Sequence, residues 1–195
     1  MPIRLTLPTT RADLAALRAG DSVLLSGDIL TGRDAAHKRL CSLLDAGQPL
    51  PVALRGQAIY YVGPCPPKPG DVIGSCGPTT SGRMDAYAPR LLAEGLLCMI
   101  GKGQRSAPVV AAMRAHGAVY LAATGGAGAL LAQCVAASRV LAFPDLGTEA
   151  IHCLTVRDMP LIVAIDALGN DLYEIGPAKY AGTGRGTAEG EPQAF

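Results

Sequence analysis

The sequence is poor in charge and in aromatic side chains. Charged residues make up 17% of its 195 residues, and it contains six Tyr, two Phe and no Trp. Lys and Arg number 17 against 16 Asp and Glu, which gives a formal net charge of +1. Proteins that bind nucleic acids present basic surfaces and aromatic platforms for stacked bases. We therefore expect no nucleic-acid partner, and the scarcity of charge favours a surface that faces another protein.

Paired cysteine motifs are also missing. The chain has six Cys but no C-x-x-C spacing that would indicate a zinc or redox site. The first eight residues lack the apolar stretch of a signal peptide. We therefore interpret the cysteines as reduced thiols of a cytoplasmic protein, most of which fill the core.

A membrane span is not expected either. Residues 115–138 carry no formal charge, but Thr124-Gly-Gly-Ala-Gly128 interrupts them with residues typical of a turn. The pattern predicts a buried strand, a glycine turn and a helix of small residues rather than a membrane helix.

The hydrophobic content of 49% is sufficient for one globular domain. We expect a domain over residues 1–180 and a flexible C-terminal tail over 181–195. Predicted helices cover 12–18, 34–44, 84–94 and 127–137, with another capped by Ser106. Predicted strands cover 22–30, 58–62, 96–100, 119–123 and 140–143, followed by two paired strands at 151–156 and 161–165. This alternation predicts an α/β domain with a largely parallel sheet.

The first of three glycine-flanked polar segments is Gly32-Arg-Asp-Ala-Ala-His37, at a predicted strand-to-helix junction. Arg33 stands just before the helix, where unpaired N–H groups favour anions, and its guanidinium can hold a carboxylate by two hydrogen bonds. Asp34 opens the helix. From spacing alone, the alternative of a solvated arginine and a hydrogen-bonded, half-buried His37 is favoured.

The second segment runs from Gly74 to Asp85 and places Thr79, Thr80 and Ser81 in a row before Gly82 and Arg83. Three hydroxyls between glycines exceed what a helix cap needs, although a cap with spare hydroxyls remains an alternative.

The third segment is Gly101-Lys102-Gly103, after a predicted strand. It lacks the spacing of a Walker A loop. Because strand-to-helix junctions share one rim of a parallel sheet, Arg33, Arg83 and Lys102 are expected to form a site for a small dicarboxylate. A threonine hydroxyl is a weak base that needs an activating partner. The sequence shows no such partner, so part of the site is expected to come from another chain.

Together, the segments 32–37, 77–85 and 101–103 resemble the β subunit of class I, iron–sulfur fumarate hydratases. The same module forms the C-terminal domain of single-chain members and the β subunit of L(+)-tartrate dehydratase. The likeness extends through Gly125–Ala127, Leu146–Ala150 and Ile165–Asp171. It implies a swivelling β/β/α-type single domain with a mixed, largely parallel sheet.

The resemblance also implies a function. Thr79 matches the proposed catalytic base, and Arg33, Arg83 and Lys102 match the ligands of the substrate carboxylates. His37, Thr80 and Asp34 are candidate supporting residues. A separate α subunit would carry the [4Fe–4S] cluster, so no cysteine of this chain is an expected cluster ligand. The implied enzyme is an αβ heterodimer that dimerises again and converts fumarate and water to (S)-malate in the tricarboxylic acid cycle.

Two alternatives remain at this point. The chain can be the β subunit of L(+)-tartrate dehydratase, although Ser81-Gly-Arg-Met-Asp85 is more similar to the fumarase form. It can also be a non-catalytic module that binds dicarboxylates with the same cationic residues.

Overall fold

The computed structural model describes residues 1–181, in which strands and helices alternate. The strands are β1 (Ile3–Thr6), β2 (Ser22–Thr31), β3 (Ala58–Tyr60), β4 (Cys98–Gly101), β5 (Val119–Ala122), β6 (Val135–Ala142) and β7 (Ile151–Ile165). The helices are α1 (Arg11–Leu14), α2 (Asp34–Asp45), α3 (Ala88–Ala93), α4 (Ala107–His116), α5 (Gly128–Gln133) and α6 (Leu172–Tyr180). Two 3₁₀ segments cover Ser81–Met84 and Pro144–Glu149. The predicted tail, 181–195, lies outside the described residues except for Ala181.

The sheet closes on itself as a barrel. Strands β2, β3, β4 and β5 pair in parallel, one after the other. Strand β7 runs antiparallel to both β5 and β2 and so joins the two ends. Strand β1 is added to β2 in parallel, and β6 is added to β7 in antiparallel orientation. The predicted mixed α/β domain with a mostly parallel sheet is confirmed, whereas the closure was not predicted.

The core lies on both faces of the strands, because successive residues of a strand point to opposite sides. Tyr60, Ile100 and Leu121 belong to one buried cluster. Their neighbours Ile59, Met99 and Tyr120 belong to a second cluster, which the apolar residues of α2, α3 and α4 complete. The parallel strands are therefore apolar on both faces, as expected for strands covered on both sides.

Side-chain capping hydrogen bonds are present at the start of α1 but not at the start of α4. The Thr10 side chain accepts from the backbone of Asp13, and the Asp13 carboxylate accepts from the Thr10 amide, which completes a capping box at the start of α1. Ser106 precedes α4 as predicted, but its side chain makes no capping hydrogen bond.

Three sequence-based expectations about the elements are wrong. The predicted helix 127–137 ends at Gln133, and the following residues form β6, because pairing with β7 outweighs the helix preference of alanine. The two paired strands around residues 157–160 are one strand, β7, with a bulge opposite Ser26. The predicted helix 84–94 is replaced by the 3₁₀ segment Ser81–Met84 and the shorter α3.

The uncharged stretch 115–138 is distributed over the end of α4, then β5, α5 and the start of β6. Within residues 1–181 no helix has the length and apolar character needed to cross a membrane.

Candidate functional site

The second and third polar segments lie side by side at the carboxyl ends of β3 and β4. Thr80 and Lys102 form a parallel bridge. The Ser81 amide donates to the Lys102 carbonyl at 2.9 Å, and the Lys102 amide donates to the Thr79 carbonyl at 3.3 Å. The Thr79 amide donates to the Tyr61 carbonyl at 2.7 Å. Four hydroxyl- or ammonium-bearing residues are thus fixed beside one another by main-chain hydrogen bonds.

Gly101 makes this close approach of the two segments possible. A Cβ atom at Gly101 would overlap the Ser81 Oγ and would lie 3.0 Å from the Tyr61 ring. The Ser81 hydroxyl is buried and lies 2.8 Å from the Tyr120 hydroxyl, which donates to the Gly103 carbonyl at 3.0 Å. Ser81 therefore serves packing and hydrogen bonding beneath the rim, while Thr80 and Lys102 are exposed on it.

The first polar segment joins this rim through an ion pair. The Arg83 guanidinium donates from Nε to Asp34 Oδ1 at 3.0 Å and from Nη2 to Asp34 Oδ2. Asp34 is the first residue of α2, so the pair connects the end of β2 to the 3₁₀ segment that follows the hydroxyls. The pair therefore brings Arg83, and Arg33 next to Asp34 in the chain, to the edge where Lys102 lies. Arg83 already has a carboxylate partner.

Arg33 is held by a residue that the sequence reasoning did not identify. Its Nη2 lies 3.2 Å from Glu149 Oε1, and the other oxygen of Glu149 accepts the Ala35 amide at 2.9 Å. A Cβ at Gly63 would lie 2.6 Å from Arg33 Nη1, so a glycine is needed for this packing. The sequence contained one signal for Glu149, since it lies in the stretch 146–150 that carries part of the family resemblance.

His37 lies below the rim, fully buried. Its Nδ1 is 2.9 Å from the Arg33 carbonyl, which can only accept, so Nδ1 carries the proton and Nε2 is an acceptor. The His37 ring meets the Tyr61 ring edge-on, with centroids 5.3 Å apart. Burial lowers the pKa of His37 from its usual 6.5 to about 4, with the positive charge of Arg105 acting in the same direction. The side chain is therefore neutral and stabilises the first turn of α2.

Thr80, Arg83 and Lys102 are exposed on the rim. Cavities of about 750 and 730 Å³ lie elsewhere, the first between β2, β7 and α5 and the second beside the loop 65–75. Their linings contain none of the seven predicted site residues. The loop after β5 does reach the rim, because a Cβ at Gly125 would lie 3.8 Å from Lys102 Cδ. Lys102 has no ion-pair partner among residues 1–181, so its ammonium group is the least compensated charge of the three.

The cysteines are dispersed rather than clustered. All six thiols are unpaired, and four of them are buried. Burial raises the pKa of Cys98 to about 12 and that of Cys76 to about 11, which makes both poor nucleophiles and poor ligands at neutral pH. In the described part of the chain, no group of three or more His, Cys, Asp and Glu could hold a metal ion.

Fold and rim together define a small α/β barrel domain with an open edge of cations and hydroxyls. Comparison with known families identifies it further. The family model described as the fumarase C-terminus matches residues 1–176, and the chain belongs to this family.

Individual relatives agree with this assignment. The chain is 41% identical over 165 residues to the anaerobic class I fumarate hydratase of Escherichia coli (strain K12), covering 84% of this chain and 30% of that protein. It is 36% identical over 177 residues to a putative class I fumarate hydratase of Geobacillus stearothermophilus, covering 88% and 34%. It is 39% identical over 171 residues to a putative L(+)-tartrate dehydratase subunit beta of Methanocaldococcus jannaschii, covering 85% and 88%. The resemblance seen in the sequence is thus confirmed, and the chain spans about a third of the hydratases but most of the tartrate dehydratase subunit.

Proposed function

We propose that this chain is the β subunit of an iron–sulfur hydro-lyase that interconverts fumarate and (S)-malate at a site shared with an α subunit. The observation that carries the proposal is the parallel bridge between Thr80 and Lys102. It places the hydroxyl segment and the lysine on the rim where Arg83 and Arg33 also lie. Membership of the fumarase C-terminus family supports the reaction class, and we assign the fold to the swivelling β/β/α type on the same basis.

The three cations are proposed to bind the two carboxylates of the substrate. Lys102 is exposed and has no carboxylate partner in residues 1–181, so it is available for direct contact. Arg83 uses Nε and Nη2 toward Asp34, which leaves Nη1 for a substrate oxygen. Arg33 is oriented by Glu149 in the same manner. Each charge-assisted contact to a carboxylate contributes about 1.5–3 kcal/mol.

Thr79 is proposed to move the proton. Hydration adds OH to one alkene carbon of fumarate and H to the other, and dehydration of malate reverses both steps. The Thr79 hydroxyl would give a proton to the carbon beside a carboxylate in one direction and take it back in the other. The described residues give this hydroxyl no hydrogen-bond partner, so the activating group that a threonine needs would come from the α subunit.

The cluster is proposed to belong to the α subunit as well. The described residues of this chain do not fit a [4Fe–4S] site, because no three candidate ligands converge and most thiols are buried. The match to a protein named as a β subunit over 88% of its length supports a two-subunit enzyme. We propose an αβ heterodimer that dimerises, located in the cytoplasm and serving the tricarboxylic acid cycle.

The same match favours a second candidate, the β subunit of L(+)-tartrate dehydratase. The alignment with that relative covers 88% of its length, whereas the alignment with the fumarate hydratase of Escherichia coli (strain K12) covers only 30% of that protein. The cationic rim fits either dicarboxylate, so substrate assays must separate the two.

The test is coexpression with the α chain of a class I fumarase, followed by anaerobic purification and assay. Turnover of fumarate and (S)-malate is expected, with L-tartrate slower by at least tenfold. Faster turnover of L-tartrate would establish the second candidate. Turnover by the isolated, iron-free chain would contradict the shared site. If the complex is inactive while the isolated chain binds fumarate tightly in calorimetry, the chain is a dicarboxylate-binding module instead.

A further inference from the structure

Arg105 is a buried cation that lies three residues after Lys102, outside every segment singled out in the sequence. Its side chain is 0% exposed, and its Nε donates to Asp85 Oδ1 at 2.7 Å. The guanidinium carbon lies over two aromatic rings, 5.3 Å from the centroid of Tyr61 and 5.1 Å from that of Tyr120. A buried charge is unfavourable unless such partners compensate it, so these three residues fix where Arg105 sits.

Both aromatic partners of Arg105 also hold the rim. The Tyr61 carbonyl accepts the Thr79 amide at 2.7 Å. The Tyr120 hydroxyl connects the Ser81 hydroxyl, at 2.8 Å, to the Gly103 carbonyl, at 3.0 Å. Because the Arg105 guanidinium lies between these two rings, we infer that it sets the distance between Tyr61, which holds Thr79, and Tyr120, which holds Ser81 and Gly103.

The acidic partner of Arg105 connects the same two segments a second time. Asp85 follows the 3₁₀ segment Ser81–Met84, and its Oδ2 accepts the Ser106 amide at 2.6 Å. One carboxylate thus binds the side chain of Arg105 and the main chain of the next residue. The Asp85 carboxylate thus accepts the amide of the residue that precedes α4, whose own side chain makes no capping hydrogen bond.

We propose that Arg105 is a positioning residue, which acts through Tyr61, Tyr120 and Asp85 to hold Thr79 beside Lys102. Arg105 is not expected to contact substrate in this arrangement, because its side chain is 0% exposed. The inference rests on the proposed function for the roles of Thr79 and Lys102, but the juxtaposition itself is a property of this chain alone.

Arg105 also influences the first polar segment. His37 packs against the Tyr61 ring and binds the Arg33 carbonyl. The positive charge of Arg105 adds to burial in keeping the His37 pKa low. The Arg105 Nη2 is buried without a hydrogen-bond partner in residues 1–181. The guanidinium is thus held by Nε, by the two ring faces, and by Nη1, which lies 3.5 Å from the Tyr61 hydroxyl and 3.3 Å from Met99 Sδ. The single ammonium group of lysine cannot reproduce this combination.

The test compares Arg105→Gln with wild type by hydrogen exchange of the full chain and by kinetics of the assembled complex. The amides of Thr79, Ser81 and Lys102 are expected to exchange at least tenfold faster in the variant, while the β2 amides keep their rates. In the complex, kcat is expected to fall at least tenfold, with a smaller change in KM. Arg157→Gln, the same substitution at an exposed arginine of β7, should change neither rate.

Wild-type exchange at the three amides, or faster exchange spread equally over the whole sheet, would overturn the positioning role. If Arg105→Gln does not fold, Arg105→Lys and Asp85→Asn replace it, with the same three amides expected to lose protection. An inactive wild-type complex would reject the proposed function, yet the exchange rates would still decide whether Arg105 holds the two segments together.

Discussion

Arg83 and Asp34 form an ion pair that joins the 3₁₀ segment Ser81–Met84 to the first residue of α2. The two residues are 49 positions apart in the sequence, and Nε of the arginine lies 3.0 Å from the carboxylate. Their side chains are 49% and 35% exposed. Arg105 and Asp85 form a second pair, in which the arginine side chain is fully buried. One partly exposed and one buried ion pair thus connect the segments of the rim.

These two pairs should differ strongly in their contribution to stability. Asp34→Asn is expected to change the free energy of unfolding by less than about 1 kcal/mol, because water screens the exposed pair. Asp85→Asn is expected to cost roughly 3 kcal/mol or more, because Arg105 then keeps a buried charge without its counter-charge. Urea unfolding of both variants at neutral pH measures the difference, and equal losses would contradict the assigned burial.

Removal of the Thr79 hydroxyl should affect the rate more than binding. In the assembled enzyme, Thr79→Ala is expected to lower kcat by roughly 10²–10⁴-fold, the range for loss of a positioned proton-transfer group. KM should change little, because the cations that bind the carboxylates remain. Thr6→Ala, at an exposed position of β1, is the matched control. An unchanged kcat in steady-state assays would remove Thr79 from the mechanism.

A side chain at Gly101 should separate the two rim segments. In Gly101→Ala the new methyl group would overlap the Ser81 Oγ, and the overpacking is expected to cost about 1–3 kcal/mol. Ser81→Gly in the same chain should restore part of that loss by removing the obstructing atom. Gly176→Ala in α6, where a Cβ meets nothing within 4 Å, should be neutral or stabilising. Thermal unfolding ranks the variants, and a destabilised Gly176→Ala would invalidate the comparison.

The sequence was sufficient to place the polar segments on one rim. The first and third segments each follow a strand that local apolar patterns reveal, and parallel strands end at the same edge. The predicted start of α2 at Asp34 matches the structure because the change from strand to helix is a local property. The sequence therefore predicts that Arg33, Arg83 and Lys102 share one rim.

Long-range pairing explains what the sequence did not reveal. Glu149 reaches the start of α2 across 114 residues, and no local pattern indicates which acidic residue does so. Closure of the barrel depends on β7 bonding to both β2 and β5, which periodicity cannot specify. Arg105 looks like an ordinary solvated arginine, since only the folded chain places Tyr61 and Tyr120 around it.

His37 should make the stability of the chain depend on pH between about 4 and 6.5. Burial lowers its pKa to about 4 in the folded state, against 6.5 when unfolded. In this window the unfolded chain binds more protons than the folded chain, so stability falls as the pH falls.

The expected size of this effect is about 1.4 kcal/mol for each pH unit within the window. Below its folded pKa of about 4, His37 is protonated in both the folded and the unfolded chain, so it should lower the stability no further. His37→Gln cannot titrate, so its urea-unfolding free energy should lack this part of the slope between pH 6.5 and pH 5. All other titrating groups are common to the two proteins, and the difference between their curves isolates His37. Parallel curves would show that His37 is protonated in the folded chain and that its burial beneath the rim is incorrect.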